Sequence, residues 1–209
     1  MGLLKVHWRT FIGGFMIDKK RLEDAKAGNV QEQVSIGKYY YFGAWGLGEN
    51  IDYKKALFWL TKAAEQGHVE SQHSVGFMHY EGQGTQIDYE TAFHWYTKAA
   101  EQGYTPSQNN LGCLYRDGRG VAEDLEEAFI WHSMGAEKGN ASCACNLGLM
   151  YLEGNGVPES LIDAAYWINL SRGQGFEYAI ELWHEHKLWK FEDELFERIS
   201  RKISKYKKT

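Results

Sequence analysis

Proline and cysteine are scarce in this chain of 209 residues, which holds 2 Pro and 3 Cys, and no long hydrophobic run relieves the scarcity. Cys113, Cys143 and Cys145 are an odd set without the pair spacing of a disulfide framework or a zinc site. Cys143 and Cys145 stand two apart in a helical segment, project to different sides and do not easily bond each other. The N-terminal stretch MGLLKVHWRTFIGGFMIDKK is broken by charged and polar residues, so neither a secretory segment nor a membrane span is expected there. A reducing, cytoplasmic location follows as the default expectation. An excess of basic charge is also missing. With 23 Lys and Arg against 28 Asp and Glu the net charge is −5, which excludes a dedicated duplex-DNA binder. Low apolar content, the mark of disordered chains, is missing too: 44% of residues are hydrophobic.

What the chain does have is glycine and aromatic rings: 23 Gly, 8 Trp, 13 Tyr and 10 Phe. Trp59, Trp95, Trp131 and Trp167 lie 36 residues apart three times in succession. Frames of that length align Ala56, Ala92, Ala128 and Ala164, then Asp52, Asp88, Asp124 and Ser160, and then Gly67, Gly103, Gly139 and Gly175. A second block aligns Gly37, Gly76, Gly112 and Gly148, followed by Tyr40, His79, Tyr115 and Tyr151. The chain is a repeat array. The first frame is three residues longer, with the excess between Gly43 and Asp52.

Each frame divides into two amphipathic helices. The first-type helices are predicted over 31–42, 70–81, 106–117 and 142–153, and the second-type helices over 53–66, 89–102, 125–138 and 161–174. Asp or Ser before each second helix suits an N-cap, and the closing Gly suits a left-handed position just past the helix end. A Gly inside a helix costs about 1 kcal/mol relative to Ala, so Gly37, Gly76, Gly112 and Gly148 imply close approach by the backbone of a second helix.

Frame three, LGCLYRDGRGVAEDLEEAFIWHSMGAEKG, states the pattern most fully. Its Leu-Gly, Tyr, Gly-x-Gly, Asp, Ala, Trp, Ala and closing Gly closely resemble the Sel-1-like repeat, a relative of the tetratricopeptide repeat. The resemblance covers about residues 31 to 175. It implies an all-α fold, an α/α solenoid wound as a right-handed superhelix, with repeats at 31–67, 68–103, 104–139 and 140–175. Residues 1–30 then form an N-terminal segment with a capping helix over 16–27. Residues 176–209 form C-terminal caps, with one helix over 177–190 and a basic amphipathic helix over 191–206. Frame four departs from the pattern at Ser160 and at Ser171-Arg172.

No catalytic constellation emerges. His184-Glu185-His186 lacks the spacing of a metal-binding helix. Ser35-x-x-Lys38 matches a motif of penicillin-recognising enzymes, but the partner motifs of those enzymes are missing. Cys113 is tied to no particular histidine. No catalytic residue, metal or cofactor is therefore expected. In the related tetratricopeptide architecture the first helices line a concave groove. That geometry assigns partner binding to Lys38, Tyr41, His73, Phe77, Tyr80, Asn109, Cys113, Arg116, Leu149 and Leu152, with Val34 and Cys145 at the same offsets. Asn109 offers donor and acceptor to a peptide backbone, and Arg116 offers a fork to a carboxylate.

The function so implied is a non-enzymatic adaptor that binds a peptide or protein in its groove. The alternative is an immunity or inhibitor protein that neutralises a toxin, since the acidic body suits a basic effector. A β-lactam enzyme acting through Ser35 ranks last. Six basic and no acidic residues between Arg198 and Lys208 offer a weak contact with an anionic surface, and no nucleic acid is expected as partner.

Overall fold

The computed structural model describes residues 17–43 and 51–197 of the chain. Residues 1–16, most of the enlarged first loop (44–50) and the basic run 198–209, with the end of the expected helix over 191–206 and the expected anionic-surface contact, lie outside the described residues. Among the described residues there are ten α-helices, one 3₁₀ turn, a further helical stretch at 192–197 and no strand. The all-α expectation holds. The helices fall into two compact units that divide between Ile87 and Asp88.

The first unit holds α1 (Lys19–Lys26), α2 (Val30–Phe42), α3 (Tyr53–Glu65) and α4 (Val69–Glu81), each packed on the next. The second holds α5 (Tyr89–Glu101), α6 (Thr105–Asp117), α7 (Leu125–Glu137), α8 (Ala141–Glu153), α9 (Leu161–Arg172) and α10 (Glu177–Glu185), again in consecutive contact. Every predicted repeat helix is present, and its ends fall within two residues of the expected ones.

The second-type helices start where the sequence places a short polar side chain. Asp52, Asp88 and Asp124 accept from the backbone N–H of Lys55, Thr91 and Glu127 at 3.0, 2.9 and 3.0 Å, and Ser160 accepts from Asp163 at 3.3 Å. Each bond satisfies one of the orphan donors of a first helical turn. The predicted closing glycines have positive φ, from 81° to 88°. The Ala column lies in the core, where Ala56, Ala92, Ala128 and Ala164 are buried with Trp59 and Trp95, while Trp131 and Trp167 are partly buried.

The helix glycines are crowded, but chiefly by side chains. A Cβ on Gly37 would stand 2.6 Å from Leu60 Cγ, one on Gly112 would stand 2.7 Å from His132 Nε2, and one on Gly148 would stand 2.5 Å from Ile168 Cγ1. The expectation of a neighbouring backbone is corrected accordingly: backbone atoms come next, at 3.3 Å for Leu60 N and Ala164 O. The crowding residue follows the Trp of each frame, and in frame two that position is Tyr96. All four are buried, with Leu60, Tyr96, His132 and Ile168 at 2%, 1%, 0% and 0% exposure.

A second column was not anticipated. Gln33, Gln72 and Gln108 are buried, and each donates its Nε2 to a carbonyl at the end of the preceding helix: Ala25, Ala64 and Ala100, at 2.9, 3.2 and 3.2 Å. The glutamines thus stitch α2, α4 and α6 each to the helix before it.

The C-terminal cap also differs from expectation. The helix predicted over 177–190 stops at Glu185, because Lys187 takes a left-handed conformation with φ 54°. A 3₁₀ turn at Leu188–Phe191 follows, and residues 192–197 are helical again. The break drops Leu188 into the core beside Ile168, Leu182, Trp183 and Leu195. Of the frame-four departures, buried Ser171 donates its hydroxyl to the Ala141 carbonyl of α8 at 2.8 Å, and Arg172 meets the cap, its guanidinium 4.3 Å from the Trp183 ring centroid.

Candidate functional site

In the first unit the expected residues Lys38 and Tyr41 come from α2, and His73, Phe77 and Tyr80 from α4. Lys38 Nζ pairs with Glu70 at 2.9 Å, both side chains being about half exposed. Tyr41 meets Phe42 and Tyr53 edge to face, with centroids 4.9 and 5.5 Å apart. Burial raises the Tyr41 pKa and the nearby Tyr53 adds to the rise, while a side-chain hydrogen bond from Gln83 opposes them. Burial also holds the His73 ring neutral, with its pKa pushed down to about 4. Lys38, Tyr41, Phe42, Leu60, His73, Ser74 and Phe77 enclose a pocket of about 330 Å³. Tyr80 is partly buried and does not line it.

In the second unit Asn109, Cys113 and Arg116 come from α6, and Leu149 and Leu152 from α8. Asn146 of α8, which sequence reasoning did not select, joins them. Its Nδ2 donates to Asn109 Oδ1 at 2.9 Å and approaches Cys113 Sγ at 3.9 Å. This bond uses one donor and one acceptor of the pair and leaves the Asn109 amide N–H groups and the Asn146 carbonyl open among the described residues. Arg116 Nε donates to Asp117 Oδ1 at 2.8 Å, which leaves the other guanidinium nitrogens for a further acceptor. Leu149 and Leu152 are partly buried against the C-terminal core cluster. At the same helix offsets Val34 and Cys145 are core residues, at 7% and 1% exposure.

The chemistry-bearing groups are engaged in other ways. Arg21 donates to Ser35 Oγ and Lys38 is turned to Glu70, so the Ser35-x-x-Lys38 pair is not assembled as nucleophile and base. All three cysteines are free thiols, and burial raises their pKa values, to about 12 for Cys143 and about 11 for Cys145. Among the described residues no group of three or more His, Cys, Asp or Glu is placed to hold a metal ion, and no helix is long and apolar enough to cross a membrane.

Comparison with known proteins agrees with this geometry. The profile of the family described as "Sel1 repeat" matches residues 33–68, 69–104, 105–140 and 141–176. Among solved structures, a protective antigen present in uropathogenic Escherichia coli strains and displaying an SLR fold superposes with a TM-score of 0.71. It is 31% identical, over 78% of this chain and 35% of that one. A Sel1 repeat protein from Oxalobacter formigenes gives a TM-score of 0.68 at 33% identity, over 73% of this chain and 62% of that one. An immunity protein from Pseudomonas aeruginosa, 23% identical with a TM-score of 0.50, shares the fold. The ERAD-associated E3 ubiquitin-protein ligase component HRD3A of Arabidopsis thaliana is 38% identical over 60 residues, a stretch that spans 9% of that protein.

Proposed function

The chain belongs to the Sel1 repeat family, four repeats of which cover residues 33–176, and we propose that it is a non-enzymatic interaction module that holds a segment of a partner protein on its first-type helices. Repeat proteins of this kind present rows of side chains from successive helices to one ligand. The observation that carries the reading is the Asn109–Asn146 pair beside Arg116 in the second unit. An amide donor and a carbonyl acceptor left open side by side match the alternating C=O and N–H of an extended peptide, as in other strand-like recognition. The remaining guanidinium nitrogens of Arg116 add a charge-assisted bond to a carboxylate or carbonyl of the same segment. Ser35 and Lys38 are meanwhile bonded to Arg21 and Glu70, and burial raises the pKa of each cysteine thiol.

A second reading, an inhibitor of a basic effector, is favoured by the acidic surplus of residues 1–197, where 28 acidic residues face 17 basic ones. Such a charge difference speeds association with a basic partner and makes it sensitive to salt. Selection of a displayed random peptide library on the immobilised chain tests the first reading. Selected peptides are expected to bind wild type and to lose at least about tenfold in affinity on the variant Asn109→Ala, Asn146→Ala, Arg116→Ala, at unchanged helicity. Peptides that bind this variant as tightly as wild type, or a selection that yields none, refute it. The inhibitor reading predicts that the selected sequences are rich in Lys and Arg and that their affinity falls steeply between low and physiological salt.

A further inference from the structure

The pocket of the first unit has a composition that specifies its occupant. Its walls are the rings of Tyr41, Phe42 and Phe77 and the side chain of Leu60. The polar groups among its lining residues are already committed. The Lys38 ammonium is neutralised by Glu70, and the Ser74 hydroxyl donates to the Glu70 carbonyl at 2.8 Å. The Tyr41 hydroxyl takes a bond from Gln83, and burial keeps His73 uncharged down to about pH 4. A charged guest would shed its water here without gaining an unpaired opposite charge, a loss that an apolar guest avoids. The volume sets the size. A cavity of about 150 Å³ suffices for one benzene ring, so a pocket of about 330 Å³ holds a single two-ring group with its methylene stem. Edge-to-face contacts with the three surrounding rings favour an aromatic guest over an aliphatic one of equal area.

We infer that this pocket is the socket for one uncharged aromatic side chain, of the size of tryptophan, presented by the bound partner. The inference rests on the interaction-module reading and adds to it an anchor residue and a place. Interfaces of this kind take much of their affinity from one such ring in a desolvated pocket.

The probe is N-acetyltryptophanamide, titrated into the full chain and followed by backbone amide chemical shifts. Saturable shifts are expected at Lys38, Tyr41, Phe42, His73, Ser74 and Phe77. Three competitors sort the chemistry: N-acetyltryptophan carries a carboxylate, N-acetyllysinamide an ammonium, and N-acetylleucinamide has no ring. All three are expected to bind at least about fivefold more weakly than the probe. The variant Ser74→Phe fills the pocket from its own wall and should abolish the shifts while leaving helicity intact; Phe77→Ala should weaken them. Shifts confined to other residues, equal binding by the charged competitors, or undiminished binding by Ser74→Phe overturn the socket. The two readings fail separately: if selected peptides lose affinity on the Asn109, Asn146, Arg116 variant but the probe does not bind, the socket alone falls. If the probe binds as described and those peptides ignore the triple variant, the asparagine-centred reading falls and the socket stands.

Discussion

His132 should make the protein acid-labile, and replacing it with leucine should remove much of that lability. The imidazole is fully buried, and neither ring nitrogen has a hydrogen-bond partner. It sits where frames one and four place Leu60 and Ile168, against the bare backbone of Gly112. Burial, reinforced by the positive charge of Arg116 and opposed by Asp117, lowers its pKa to about 4 from an ordinary 6.5. The sign follows from proton counting. Between pH 6.5 and 4 the unfolded chain binds a proton at this residue that the folded chain refuses, so stability falls as pH falls. At pH 4.5 the difference comes to roughly 2–3 kcal/mol relative to neutral pH. At neutral pH, two ring nitrogens held away from water cost a further 1–3 kcal/mol or so.

His132→Leu restores the side chain that already fits over Gly37, at similar volume. It is expected to raise the urea midpoint above that of wild type at pH 7 and by more at pH 4.5, so that the gap between variant and wild type widens by roughly 2–3 kcal/mol. His73, also held neutral to about pH 4, keeps some acid sensitivity in both proteins, so the comparison concerns the change in slope. Circular dichroism at several pH values between 7 and 4.5 measures it. A variant whose stability declines with acid as steeply as that of wild type would refute the reasoning, and so would one weaker than wild type at pH 7.

Two further comparisons use the repeats as internal controls. Gly84→Ala places a methyl group against the Tyr53 carbonyl at a φ of 76°, whereas Gly67→Ala meets open space at a φ of 88°. Both pay about 1 kcal/mol or more for the left-handed backbone, and thermal melts should show Gly84→Ala as clearly the more damaging. Gln33→Ala breaks two satisfied bonds, one to the Ala25 carbonyl and one from Gln66, and should cost about 1–3 kcal/mol. Gln108→Ala loses one bond but also removes a buried Oε1 that has no partner, so its cost in the same melts should be under about 1 kcal/mol.

The helices, their caps and the closing glycines could be read from the sequence because each depends on local chemistry that recurs at fixed offsets. The buried glutamines could not. Gln is usually a surface residue, and what holds Gln33, Gln72 and Gln108 inside is a carbonyl eight residues back, reachable only once two helices have packed. The signal that existed was their alignment in frame, interrupted by Ala144 in frame four. His132 carried a similar signal as the lone imidazole in a column of Leu60, Tyr96 and Ile168. The break at Lys187 gave no sign at all: a left-handed turn is expected at Gly or Asn, and there tertiary burial of Leu188 overrides the local preference. Of the expected binding residues, those beside open space, Lys38, Tyr41, His73 and Phe77, form one pocket, whereas Leu149 and Leu152 pack toward the core cluster of the C-terminal cap. Lys38, Phe77 and Leu149 share one offset from the helix glycine, and Tyr41 and Leu152 another; what differs is whether a neighbouring element covers them.

Four copies of one unit in a single chain separate structure from specificity without any second sequence. Columns that hold the same residue in successive frames, such as Ala56 with Ala92, Ala128 and Ala164, are buried, and their identity is explained by packing inside the unit. The column just after the helix glycine reads Lys38, Phe77, Cys113 and Leu149, and the column four past it reads Tyr41, Tyr80, Arg116 and Leu152. None of these eight side chains is fully buried; packing against the C-terminal core cluster accounts for Leu149 and Leu152, and the fold does not itself dictate the other six, since the same backbone carries all of them. A surface that served only to solvate the helices would need polarity in these columns, yet they hold rings and aliphatic groups beside one lysine and one arginine. Such variety on a repeated backbone fits the proposed recognition of an irregular partner segment. On the proposed reading each unit specifies its own contact: a neutral ring beside Lys38 and Phe77 in the first, and backbone amides beside Asn109 and Asn146 in the second.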